Sequence, residues 1–397
     1  MLDTLDQTET RHPIRERDAT HGPRTAVWDL ALRLFHWVFA GLVLAALVTG
    51  FYAPEWWLDR HLWIGYGIAV LLVFRLVWGF YGGHHARFAD FCFSPRTTLG
   101  HVRELRGGQA FRHLGHNPAG ALMVFAMLAL VTFMVIGGFA ILGGVEKEGP
   151  FAGVTDFETG WWLLGLHRAG GFAIAAMIVL HLGGVWLQSC LEGENLATAM
   201  ITGRKSSPGG ARDDGGRVGA RPGFALALSL LIGIGLAIPA TLLAARPAIG
   251  YRTLSPPAVF ASECGECHTA FHPSLLPARS WRAIMAGLEA HFGEDASLDS
   301  ETRNQIETFL VANASRTWDT KAAHFFRRVD PDQPLRITHT PGWQARHAGL
   351  DHKLFAQKNI ASRANCTACH GDARSGLFAD RRIRVPAPDT RSKNQTK

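Results

Sequence analysis

Residues 161–188, WWLLGLHRAGGFAIAAMIVLHLGGVWLQ, decide the fold. The stretch holds one arginine and no aspartate, glutamate or lysine, and it is long enough to cross the hydrocarbon core of a bilayer as a helix. Lipid offers the backbone no hydrogen-bonding partner, so a helix that satisfies its own polar groups is the form available. His167 and His181 interrupt the apolar run 14 residues apart, which is close to four turns. Both therefore face one side of the helix, about 21 Å apart along its axis.

Four more apolar spans surround this one, at about 30–52, 61–81, 118–142 and 223–245. The whole chain of 397 residues is 47% hydrophobic and 18% charged, yet its mean hydropathy is only +0.06. That value averages an apolar part, ending near residue 246, and a polar part beyond it.

Loop charges set an orientation. Arg11, Arg15, Arg17 and Arg24 precede the first span. Arg87, Arg96, Arg103, Arg106 and Arg112 lie between spans II and III, and Arg204, Lys205, Arg212, Arg217 and Arg221 between IV and V. The I–II loop has only Arg60, and the III–IV loop has Lys147 against Glu146, Glu148, Asp156 and Glu158. This asymmetry puts the N-terminus in the cytoplasm and, after five crossings, the C-terminal segment outside. The first 28 residues are polar and span I is too long for a signal h-region, so span I is expected to act as its own insertion signal. Residues 206–223, SSPGGARDDGGRVGARPG, read as a flexible linker. Span V carries no ionisable residue and reads as a tether. Cys92 and Cys190 fall on the cytoplasmic side as reduced thiols.

Ionisable residues within a membrane are costly and functional by default. His36 lies early in span I, His61 opens span II, His167 is near the outer end of span IV and His181 near its inner end. Depth matching pairs His36 with His181 and His61 with His167. Imidazole is the usual axial ligand of haem b in a helix bundle, so two bis-histidine haems stacked across the membrane satisfy all four. Isolated polar bonding between helices accounts for one such histidine, not for four matched in depth and face. Glycines near them (Gly65, Gly67, Gly170, Gly171, Gly183, Gly184) either admit a porphyrin plane or serve ordinary helix packing. Arg33 and Arg75 near the inner face suit either haem propionates or lipid phosphates. Asn117-Pro118 reads as an N-cap followed by proline in the first helical position. His113 and His116 read as surface or propionate-contacting groups, and His84, His85 and His101 lie in a loop without an assigned role.

The polar segment carries two identical spacings, Cys264-Gly265-Glu266-Cys267-His268 and Cys366-Thr367-Ala368-Cys369-His370. CxxCH is the attachment signature of haem c. The two thiols add to the haem vinyl groups, and the adjacent histidine becomes the proximal iron ligand. Zinc knuckles need four ligands per metal and do not explain a histidine following at once in both copies. Covalent haem attachment takes place outside the cytoplasm, which agrees independently with the charge-derived topology.

Residues 27–189 resemble the bacterial cytochrome b561 family, which includes the cytochrome b subunits of nickel–iron hydrogenases. The matching stretches are VWDLALRLFHW, HLWIGYGIAVLLVFRLVWGFYG, ARFADF, GHNPAG and the His167/His181 pair. The resemblance implies a four-helix bundle with two haem b and electron exchange with a quinone pool. Residues 258–386 resemble the bacterial dihaem cytochrome c family through ECGECHTAFHPSLLPARSW, MAGLEAHFGEDASLD, PLRITHTPGW and ANCTACHGDARSG. That resemblance implies two bis-histidine haem c in a small, mostly helical domain. It also implies a monohaem oxygen-binding cytochrome as a soluble redox partner.

Each CxxCH fixes one axial ligand, and the second must come from His272, His291, His324, His339, His347, His352 or Met285. Residues 279–292 read as an amphipathic helix with His291 near its end. The family pattern places the distal ligands at His291 and His347. His272 ranks lower, being only four residues from His268, and His339 and His352 are runners-up.

The expected architecture is all-α: a cytoplasmic tail (1–27), a four-helix dihaem cytochrome b bundle (28–189), a linker (190–222), a fifth membrane helix (223–246), a periplasmic dihaem cytochrome c domain (247–386) and a flexible tail (387–397). The sites are His36, His61, His167 and His181 for two haem b, and Cys264, Cys267, His268, His291, Cys366, Cys369, His370 and His347 for two haem c. There is no nucleotide-binding glycine loop, catalytic triad or metal-protease helix, so the cofactors perform the chemistry. The expected function is electron transfer across a bacterial inner membrane between quinone and a periplasmic redox protein. The alternative is a quinol- or superoxide-oxidising enzyme with its site in the bundle. Basic residues sort by membrane side, which implies a bilayer and no nucleic acid. Those of the C-terminal tail (Arg381, Arg382, Arg384, Arg391, Lys393 and Lys397) either steer an acidic partner or form a solvated end.

Overall fold

The computed structural model describes residues 24–106, 113–206 and 221–387. Arg11, Arg15, Arg17, Arg112, Arg212, Arg217, Arg391, Lys393, Lys397, most of the 206–223 linker and nearly all of the 387–397 tail lie outside the described residues. All five expected spans are helices. They are α1 (Leu30–Phe51), α2 (Leu58–Tyr81), α4 (Pro118–Val145), α5 (Phe157–Glu192) and α7 (Pro222–Ala244). Two short helices lie among them, α3 (Pro95–Arg106) and α6 (Leu196–Thr202). Along α7 only Ala225 is buried, and Leu226, Leu230, Leu231, Ile234 and Ile238 are each more than half exposed. Such exposure of leucine and isoleucine is tolerable only against lipid, so the chain is an integral membrane protein.

Local chemistry explains the helix ends. Asn117 Oδ1 accepts the Gly120 N–H at 2.7 Å and Pro118 occupies the first helical position, as the sequence indicates. Asp156 Oδ1 accepts the Thr159 N–H at 2.7 Å, which starts α5 four residues before the expected span.

Contacts divide the chain into two compact units. Of the described residues, the first comprises 24–40, 71–106, 113–129, 174–206 and 221–231. Its core joins Leu32, Phe35, Val77, Trp78, Ala86 and Ala225. Asp29 caps α1 through the Leu32 N–H and accepts from Trp78 Nε1 at 3.1 Å. Residues 190–206, expected to begin the linker, are instead structured. They finish α5, form α6, and end in β2 (Arg204–Ser206), which pairs antiparallel with β1 (Arg24–Ala26). Asn195 caps α6, and Gly203 ends it at φ +81°, a left-handed conformation that glycine adopts without strain.

The second unit comprises, of the described residues, 41–70, 130–173 and 232–387. Its polar segment contains α8 (Ala258–Glu263), α9 (Ala278–Ala286), α10 (Ser300–Ala312), α11 (Lys321–Phe326), α12 (Pro341–His347) and α13 (His352–Phe355). Phe260, Leu275, Leu276, Trp281, Met285, Ile306, Leu310 and Trp343 fill its core. The expected helix over 279–292 breaks at Gly287, after which a 3-10 turn leads into His291.

Within this unit the polar segment sits on the loops that end α4 and begin α2 and α5. Lys321 Nζ bonds Glu146 at 2.8 Å and Asp380 at 2.5 Å, while the Asp380 N–H donates to Glu146 Oε2 at 2.9 Å. Asp319 accepts from Lys147 Nζ at 2.7 Å and from the Phe157 N–H at 2.8 Å. Arg381 pairs with Glu148 and with Asp59, and Arg346 with Glu55 at 2.5 Å. Two backbone bonds, Ile249 N–H to Ala152 and Asp319 N–H to Gly250, both 2.8 Å, stitch the stretch after α7 into the same contact. The acidic III–IV loop is therefore a seat for basic side chains of the polar segment. Arg381, expected in a steering or solvated end, is one of those side chains.

Candidate functional site

The chain brings its chemistry-bearing histidines together in four pairs. In the first unit the rings of His36 (α1) and His181 (α5) have centroids 6.4 Å apart. In the second, His61 (α2) and His167 (α5) are 6.1 Å apart. His268 and His291 are 6.2 Å apart, as are His370 and His347. An imidazole nitrogen binds a metal at about 2.0–2.1 Å, and the ring centre lies about 1.1 Å beyond it, so two imidazoles on opposite sides of one iron have centroids about 6.3 Å apart. All four pairs meet this spacing. Ring-plane angles range from 28° to 76°. That angle is free, because each ring turns about its metal–nitrogen bond. The residues thus fit bis-imidazole haem iron.

The other ring nitrogen fixes which atom faces the iron. The Thr49 hydroxyl donates to the Ala45 carbonyl at 2.8 Å, so its oxygen accepts from His61 Nδ1, 2.9 Å away. His347 Nδ1 donates to the Trp343 carbonyl at 2.8 Å, one turn back on α12, and His268 Nδ1 to the Thr269 carbonyl at 2.9 Å. In each of these three rings Nε2 is left for the metal.

The two CxxCH motifs present their cysteines without disulfides. Burial pushes the Cys264 and Cys366 thiols up to about 11. Burial, then the nearby His347 and Lys321, lower His370 to about 4, and burial also lowers His347 and His291. Neutral imidazoles are the ligand form iron requires.

Among the described residues, none of the remaining distal candidates shares a ring contact with His268 or His370. Met285 is in the hydrophobic core, 2% exposed. His272 is caged: Nδ1 meets the Ser274 hydroxyl at 2.8 Å, the ring meets Trp318, and a Cβ on Gly376 would approach it to 2.4 Å. His324 stacks on Phe157 at 4.2 Å and bonds Asp319 at 2.8 Å. His352 accepts from Arg363 at 2.6 Å, and His339 ends a 3-10 turn.

Sequence reasoning about the arginines and glycines was less discriminating. Arg33 donates to the Ile201 carbonyl, and Arg75 is buried, donating to the Ala86 carbonyl at 3.3 Å beneath Phe88. His116 is half-buried and packs against Trp28 and Phe91. Added Cβ atoms at Gly170 and Gly171 would strike Met134 and Phe51, so these two serve helix packing. At Gly65, Gly183 and Gly184 a Cβ meets nothing within 4 Å.

The ion-pair seat was missed altogether, because its members are far apart in sequence and look individually ordinary. Burial works against the Lys321 ammonium, but Glu146 and Asp380 outweigh it and hold its pKa above the usual value. Burial likewise works against the Asp319 carboxylate, but bonds from His324, Lys147 and the Phe157 N–H bring it down to about 2.

Comparison with known proteins gives these segments relatives. The family model for prokaryotic cytochrome b561 matches residues 27–203, and that for dihaem cytochrome c matches residues 260–378. A probable Ni/Fe-hydrogenase B-type cytochrome subunit of Rhodobacter capsulatus is 26% identical over 233 residues, covering 50% of this chain and 86% of that protein. The corresponding hydrogenase 1 subunit of Escherichia coli K12 is 22% identical over 213 residues, 45% and 90% of the respective chains. Among solved structures, the diheme cytochrome c of Rhodobacter sphaeroides is 42% identical, covering 32% of this chain and 100% of that one, with a TM-score of 0.28. A diheme cytochrome c of Shewanella baltica is 33% identical, covering 33% and 93%, with a TM-score of 0.27. Residues 27–203 thus belong to the prokaryotic cytochrome b561 family and residues 260–378 to the dihaem cytochrome c family, which makes the chain a membrane electron-transfer protein of haem b and haem c.

Proposed function

We propose that the protein carries electrons across a bacterial inner membrane between the quinone pool and a soluble periplasmic redox protein, through two haem b and two haem c. His36/His181 and His61/His167 hold the haem b irons. His268/His291 and His370/His347 hold the haem c irons, with Cys264, Cys267, Cys366 and Cys369 as the covalent anchors. The N-terminus lies in the cytoplasm and the dihaem segment in the periplasm. The observation that carries this reading is the common 6.1–6.4 Å spacing of four histidine pairs. Loop charge and the extracytoplasmic chemistry of CxxCH attachment support the orientation.

When bound, haem supplies reversible one-electron chemistry at iron. The polypeptide's part is to fix and tune. Thr49 and the Trp343 and Thr269 carbonyls accept Nδ1–H, orient the rings of His61, His347 and His268, and make them better donors. The apolar helices keep water from His36, His61, His167 and His181. The ion-paired seat fixes the dihaem segment against the bundle, replacing a collisional step by a permanent contact.

A pyridine haemochrome assay on the purified chain tests the cofactor set, with equal amounts of haem b and haem c expected. Rapid mixing with a quinol analogue tests the electron source: haem b is reduced first, then haem c. A preparation containing only haem c overturns the proposal.

A further inference from the structure

Resting on that reading, we infer that electrons are handed between the bundle and the dihaem segment at the second CxxCH motif, with the first motif serving the soluble partner. Arg346, Lys321 and Arg381 are the positioning residues that set this order. Each hand-over moves one electron, the donor iron going from ferrous to ferric and the acceptor from ferric to ferrous, with no proton or bond change. The soluble partner is a one-electron metal carrier.

Both sides of the His370/His347 pair are fastened to the elements that carry His61 and His167. The Cys369 carbonyl accepts the Arg384 N–H at 2.8 Å, and His370 bridges to Ile383. The stretch containing Ile383 and Arg384 also holds Asp380 and Arg381, which grip Lys321, Glu148 and Asp59. On the other side, Arg346 immediately precedes His347. It pairs with Glu55, six residues before His61, and lies over the rings of Phe325 and Trp161, the latter six residues before His167.

The first motif has no such attachment. Among the described residues, no hydrogen bond, ion pair or ring contact joins residues 258–300, which include Cys264, Cys267, His268 and His291, to residues 41–70 or 130–173. Its link is to the second motif, through the Thr269 and Thr367 hydroxyls 3.4 Å apart. Electron tunnelling weakens steeply with distance, so the motif clamped to the bundle exchanges electrons with it, and the other exchanges through the first hand-over.

Two sets of full-length variants test this by rapid mixing with a quinol analogue, haem b and haem c being followed at their separate absorption bands. In the first set, Arg346→Glu/Arg381→Glu leaves haem b reduction unchanged and slows haem c reduction at least tenfold, with all midpoint potentials unaltered. Adding Glu55→Arg and Glu148→Arg restores the rate. In the second, His347→Met or His291→Met marks one haem by its methionine-ligated spectrum while keeping it six-coordinate. The marked haem is reduced in the first haem c phase in H347M and in the later phase in H291M. A marked haem reduced first in H291M, or a charge-reversed variant with native transfer, overturns the order. A parallel series starting from a membrane-soluble reducing dye separates failure of the order from failure of the quinone assignment.

Discussion

Lys321→Met is the sharpest perturbation of the contact between the dihaem segment and the bundle loops. The lysine and Glu146 side chains are 6% and 4% exposed, and Asp380 is 20% exposed. Methionine fills the volume but leaves two carboxylates facing each other with no cation. Removing one partner of a buried ion pair costs about 3–5 kcal/mol, because the remaining charge loses both its partner and its water. At 1.4 kcal/mol per decade, the opening of this contact becomes at least about 100-fold more favourable. Hydrogen exchange on the full-length protein reads the change directly. The Asp380 N–H, bonded to Glu146, and amides across 317–326 lose protection by about that factor, while amides near His36 and His181 keep theirs. Adding Glu146→Gln leaves only the partly solvated Asp380, so the double variant recovers about 2 kcal/mol of the loss. Protection that falls less than threefold, or single effects that simply add, refutes the seat as a coupled charge cluster.

Three further outcomes follow from the same geometry. Thr49→Val removes the acceptor for His61 Nδ1–H; a less electron-rich imidazole stabilises ferric iron less, so the midpoint potential of that haem b rises, and its retention on dilution weakens about 10-fold. His167→Ala removes one haem b and leaves both haem c, so the pyridine haemochrome ratio of b to c falls to about half. The Asp319 carboxylate, at about 2 in the folded chain against 3.8 unpaired, stabilises its contact with Lys147 and His324 by about 2 kcal/mol. Because the folded value is the lower one, this stability is complete above about pH 4 and is lost as pH falls towards 2; an acid titration of exchange at the Phe157 amide shows it, and Asp319→Asn abolishes that acid dependence.

The legible and illegible parts of this chain divide by the range of the interaction that carries them. The helices were readable because an apolar run of bilayer length has one stable form in lipid. The pairs His36/His181 and His61/His167 were readable because span position fixes depth and 3.6-residue periodicity fixes face. The CxxCH motifs were readable because their chemistry is contained in five residues. Residues 190–206, placed within the linker, form α6 and β2 instead, because Asn195 and Gly203 act as helix caps and the strand partner, β1, lies far upstream. Gly287 broke an expected helix for the same kind of reason, its backbone at φ −125° and ψ 37° turning the chain before His291.

The sequence by itself determined the number of membrane helices, the haem types and the histidines that pair within the bundle, since these follow from local composition and spacing. Tertiary structure alone decided which basic residues of the dihaem segment meet the acidic loops, that Thr49 serves His61, and that the second motif rather than the first is fastened to the bundle. Each of these depends on side chains many positions apart meeting at hydrogen-bonding distance. Their charges and hydroxyls are commonplace in the sequence and acquire meaning only once folding removes them from water and gives each a partner.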